Sequence, residues 1–103
     1  MEKEGTIMTR PINKTPMVAM NKLAKSFWND HVHYLGNDDE MAEYAAQDRN
    51  DVLDVKALYL SNQYMEMADK IHRLDTCMRE AVVLAMIEDA GAAFVKDTTG
   101  YYV

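Results

Sequence analysis

Glu40 and Glu43, then Glu66 and Asp69, form two carboxylate pairs with three-residue spacing. On a helix that spacing sets both members of a pair on one face. Carboxylate oxygens are hard ligands, and two such faces turned toward each other would hold Mg²⁺ and, through it, a polyphosphate. Histidine offers a second chemistry, since His31 and His33 flank Val32 and could join Asp30 around a metal ion. Their i, i+2 spacing sends the rings to different helix faces, so packing or a contact with the negative helix end is the plainer role. His72, beside Ile71 at the edge of an apolar stripe, reads the same way. Cys77 has no partner cysteine in the chain and reads as core filler, in keeping with a reducing compartment. The sequence holds no nucleophile motif, phosphate loop, zinc spacing or dinucleotide fingerprint.

The run Asp39-Glu40-Met41-Ala42-Glu43, followed after 22 residues by Glu66-Met67-Ala68-Asp69, resembles the EExxE…ExxD pattern of the MazG-type nucleotide pyrophosphatases. The likeness spans about thirty residues and begins on Asp39, where that family prefers Glu. It implies an all-helical enzyme in which Glu40, Glu43, Glu66 and Asp69 hold Mg²⁺ against a nucleoside triphosphate. Apart from that alternative, the sequence calls for no cofactor. The bland reading of the same acids is a solvated helix face.

Charge distribution points to a different kind of site. Eleven basic and 17 acidic side chains give a net charge of −6. Residues 8–36 carry Arg10, Lys14, Lys22 and Lys25 against Asp30, whereas residues 37–69 carry nine acids against Arg49 and Lys56. Duplex DNA is bound mainly through a basic face, so this balance argues against general duplex binding. Asp38, Asp39, Glu43, Asp48, Asp51 and Asp54 form a candidate docking surface for a basic groove on another protein. Most of the nine methionines read as core filler, although flexible thioethers also suit adaptable binding surfaces.

These residues need helices to position them. Thr15-Pro16 is an N-cap followed by a proline at the first helical position, and apolar Met17, Met20, Leu23, Ala24, Phe27, Trp28 and Leu35 follow before Gly36. A first helix is expected over 16–35. Asn37 caps a second, Glu40 sits at its capping-box position, and Met41, Tyr44 and Ala45 face inward to about Gln47. Asn50-Asp51 either starts a third segment or lies inside an unbroken second helix. From Leu53 the apolar series Ala57, Leu60, Tyr64, Met67, Ile71, Leu74, Met78, Ala81, Ala85 keeps heptad spacing. As one rod, 51–90 would expose an edge that a second copy covers, giving a homo-oligomer through the 53–85 face. Ser61-Asn62 and Asp75-Thr76 are the weak points where it would instead break into a packed pair, with Asp75 capping a last helix through Ala90.

Gly91 closes the helical part, and Phe94 to Val103 has the β-favouring residues and turn glycine of a hairpin. Three helices and a hairpin outline a winged-helix DNA-binding topology, but Thr76–Ala90 as a recognition helix offers just Arg79 as a basic reader. The expected fold is mainly α: a bundle of three to four helices over 15–103 with a short C-terminal β-hairpin, preceded by a disordered or extended leader over 1–14. Lys3-Glu4-Gly5 can be encoded AAG-GAG-GGN, a bacterial ribosome-binding sequence ahead of the Met8 codon. Met8 is therefore the expected natural start of a phage or bacterial gene.

No stretch approaches the roughly 18 apolar residues of a membrane span, and no signal peptide is evident, so the cytoplasm, or a host cytoplasm for a phage product, is the expected location. The functional expectation is a small non-enzymatic protein that binds a macromolecular partner, foremost as inhibitor or modulator of a host protein. A phage structural role fits the same features.

Overall fold

The computed structural model describes residues 16–101, which form five helices: α1 (Val18–Tyr34), α2 (Asp39–Leu60), α3 (Tyr64–Arg73), α4 (Thr76–Ala90) and α5 (Ala92–Thr99). Thr15, Met8 and the leader lie outside the described residues.

α1 and α2 make an antiparallel hairpin. Lys56 Nζ donates to Asn21 Oδ1 at 2.7 Å near its base, and Arg49 lies over the Trp28 ring, 5.0 Å from the centroid, halfway along. Gly36, at φ 82°, lets the chain turn between them, and the Asp38 carboxylate caps α2 by accepting from Met41 N at 3.2 Å. The cap is thus one residue later than Asn37. The second helix runs straight through Asn50-Asp51 and stops at Ser61, whose hydroxyl donates to Ala57 O at 2.9 Å, with Asn62 left-handed at φ 64°. Asn tolerates that conformation better than most residues, so the weak helix formers of the sequence become the turn. At the second weak point the Asp75 carboxylate accepts from Met78 N at 2.9 Å, and α4 ends at Ala90. The 51–90 stretch is therefore no single rod.

α3, α4 and α5 pack against the basal half of the hairpin, and the core is centred on Met20, Val52, Val55, Tyr59, Met67, Ile71, Met86, Phe94 and Val95. The distal half, 27–47, contributes just two buried residues, Ala42 and Ala45, and projects along the 55 Å long axis of a molecule 24 and 22 Å across.

Several expectations are corrected here. No strand occurs among the described residues, and Phe94-Val95 lies in α5 where a hairpin was expected. Phe94, Val95 and Thr99 recur at helical spacing and are buried. Phe94 meets Tyr59 and Tyr64 edge-on at 5.6 and 5.0 Å, contacts that outweigh β-propensity in a segment whose isolated hairpin would be marginal. Gly91, at φ 99° and ψ 144°, breaks α4 from α5 and does not end the helical part. Met41 and Tyr44, expected inside, are 41% and 58% exposed, because nothing from α3–α5 reaches that end of α2; Ala42 and Ala45 face α1 instead. Trp28 and Leu35 are also exposed. Cys77 is exposed rather than core filler.

The heptad stripe divides at Ser61-Asn62. Met67, Ile71, Leu74, Met78 and Ala85 are buried, but in α2 the core takes Val52, Val55 and Tyr59, leaving Leu53 half-buried and Ala57 and Leu60 exposed. Among the described residues no helix is long and apolar enough to cross a membrane.

Candidate functional site

The two carboxylate pairs do not converge. Lys70 on α3 bridges Asp51 at 2.9 Å and Asp54 at 3.5 Å, which docks α3 beside the C-terminal half of α2. Glu43 lies eleven residues before Asp54 on the same straight helix, about 16 Å away along its axis, and Glu40 is farther still. Glu66 and Asp69 instead border a shallow depression of about 530 Å³ at the α2–α3 turn, with Gln63 and Tyr64. Among the described residues no group of three or more His, Cys, Asp or Glu side chains is placed to hold a metal ion. A facing-carboxylate centre needs two helix pairs side by side, and this chain sets its second pair on a short helix at the far end of the arm.

The histidines are held in packing roles. His31 is half-buried, and its Nδ1–H donates to Ala42 O at 2.8 Å, tying α1 to α2 near the tip. His33 stacks edge-on against Tyr34 at 5.0 Å on the exposed side. His72 Nδ1 lies 2.8 Å from Tyr101 Oη, and Arg79 covers the same Tyr101 ring at 5.2 Å while donating from Nη2 to Leu74 O at 2.9 Å. Arg79 therefore caps the end of α3. With no strand to serve as a wing among the described residues, and with Met78, Val82, Val83, Ala85, Met86 and Ala90 of α4 buried, the winged-helix outline is lost as well.

What the fold assembles is the projecting end of the α1–α2 arm. Asp38 and Asp39 are exposed and bound to their own turn, Asp39 accepting from Gly36 N at 3.0 Å. Glu40 accepts from the Tyr44 hydroxyl at 3.1 Å, and that hydrogen bond, with the Glu40 charge, raises the phenol above its usual range. Glu43 is exposed on the next turn. The tip therefore mixes fixed carboxylates with the apolar surface of Leu35, Met41 and Tyr44.

The remaining acids of the candidate docking surface differ. Asp51 and Asp54 are engaged by Lys70, whose ammonium is held above its usual range chiefly by the hydrogen bond to Asp51. Asp48 is half-buried, and burial, with the charges of Asp51 and Asp75, pushes its carboxyl up.

Sequence reading missed the flank of the arm where α1 and α2 leave a groove of about 280 Å³ lined by Asn21, Ala24, Lys25, Trp28, Arg49 and Leu53. A signal for it existed. Trp28, Val32 and Leu35 repeat at i, i+4, i+7, offset from the buried Met17, Met20 and Ala24. Comparison of the chain with protein-family models, curated proteins and solved structures returns no match.

Proposed function

We propose that this chain is a non-catalytic binding protein that docks the acidic tip of its α1–α2 arm onto a basic surface of another protein and thereby inhibits or redirects it. The observation that carries this reading is the exposure of Met41 and Tyr44 among Asp38, Asp39, Glu40 and Glu43, on an arm that projects from the packed body. Carboxylates steer the encounter and select the partner, while the thioether and phenol supply apolar contact area at its centre. Asp51 and Asp54 support the arm through Lys70.

A photo-crosslinking residue at position 44 tests the reading, with position 88 on α4 as control. The expected result is one cellular protein joined through position 44, in a salt-sensitive manner, and none through position 88. Equal labelling from both positions, or none from 44, would overturn it.

A further inference from the structure

Nine large apolar side chains are exposed among the described residues, and Val18, Trp28, Val32 and Leu60 among them lie on α1 and α2. At 100° per residue, Trp28 and Val32 lie about 90° round α1 from its buried stripe, and Leu53, Ala57 and Leu60 lie about 130° round α2 from Val52, Val55 and Tyr59. The groove of Ala24, Trp28, Arg49 and Leu53 runs between them. α3 docks on the opposite flank, through Lys70, Asp51 and Asp54. Two helices side by side, one of 22 residues, present a face about 33 Å long and about 20 Å wide. Such a footprint is close to the roughly 800 Å² per partner of a stable association.

Charge along this arm is graded in a self-complementary way. Lys22, Lys25 and Lys56 stand at the base, and Asp38, Asp39, Glu40 and Glu43 at the tip, while the basal acids Asp51 and Asp54 are held by Lys70. Lys22 precedes Trp28 by six residues and Glu43 precedes Arg49 by six, so in an antiparallel hairpin they lie about 9 Å to either side of the Trp28–Arg49 level.

We propose that this flank is the interface of a two-fold homodimer in which two arms pack antiparallel as a four-helix bundle, each acidic tip beside the other copy's lysine-bearing base. A two-fold axis at the Trp28–Arg49 level sets Lys22 at the height of Glu43 of the second copy and buries Trp28, Val32 and Leu53 between the arms. A parallel arrangement would set tip against tip, acid against acid, and is disfavoured. Tyr44 lies about 180° round α2 from Leu53 and stays available, whereas Glu43 is shared between this interface and the docking surface above.

Sedimentation equilibrium of the full chain, from micromolar to about 1 mM, tests this. The wild type is expected to dimerise. Trp28→Asp and Val32→Asp, each with helical content checked by circular dichroism, should weaken the dimer by about 100-fold or more, and Met65→Asp, an exposed apolar site on α3, should not. Lys22→Glu and Glu43→Lys should each weaken it several-fold, and the double exchange should restore it. A monomer throughout the range, a dimer insensitive to both Trp28→Asp and Val32→Asp, or a double exchange no better than the singles would each overturn the proposal. A monomeric Trp28→Asp protein that still crosslinks its cellular target through position 44 would separate the two readings.

Discussion

Asp89 on α4 caps the start of α1, seventy positions away in the chain: its carboxylate accepts from Ala19 N at 2.9 Å and from Met20 N at 2.8 Å. Met17, left-handed at φ 58°, supplies no side-chain cap of its own. The opening amides of a helix need an acceptor, and a negative charge there also meets the positive end of the helix dipole. Asp89→Ala should cost about 1–2 kcal/mol, with Ala19 and Met20 amides losing hydrogen-exchange protection before those of α3. Equal protection loss in both helices would show that the contact does not act locally.

Asp48 is destabilising where it is charged. Its carboxyl is pushed above the ordinary range by burial and by Asp51 and Asp75, so between the unfolded and folded pKa values the native state binds more protons than the unfolded one. Its contribution is therefore favourable at low pH and lost as pH rises through the folded value. Asp48→Asn should raise the melting temperature at pH 7 and leave it little changed near pH 3, as read by a thermal melt at each pH.

Lys70 has the opposite role. Removing it with Lys70→Met leaves Asp51, whose side chain is 14% exposed, without its ammonium partner. A loss of about 1 kcal/mol is expected in urea denaturation at pH 7, and less at high salt, since the pair is partly solvated.

Tyr59 contributes to the alkaline limit. Burial pushes its phenol up to about 12, so protonated Tyr59 favours the folded state fully below the usual tyrosine value near 10, and that favour is lost as pH rises through about 12. Tyr59→Phe should shift the alkaline unfolding midpoint upward, followed by circular dichroism between pH 9 and 13.

Gly91 joins α4 to α5 at φ 99° and ψ 144°, a conformation costly for any residue with a Cβ. Gly91→Ala should destabilise by about 1–3 kcal/mol in chemical denaturation. Gly36, at φ 82° with open space where a Cβ would stand, should tolerate Asn at less than about 1 kcal/mol.

The sequence by itself determined the elements that depend on local chemistry. The 3.6-residue recurrence of apolar side chains, the Asp75 cap and the weak formers at Ser61-Asn62 decide where helices run and stop, because those preferences act within one or two turns. Even the Gly91 break was legible, though not the helix beyond it. Only the tertiary structure decided which apolar faces are covered. Met41, Tyr44 and Trp28 carry the same local signal as Met20 and Ile71, yet burial depends on whether α3–α5 reach them, and those helices stop at the basal half of the arm. The same long-range packing turned Phe94-Val95 into helix against Tyr59 and Tyr64, and set Glu40 and Glu43 far along α2 from Glu66 and Asp69. It also brought Asp89 to α1, since a cap lent across seventy positions leaves no trace in the local pattern.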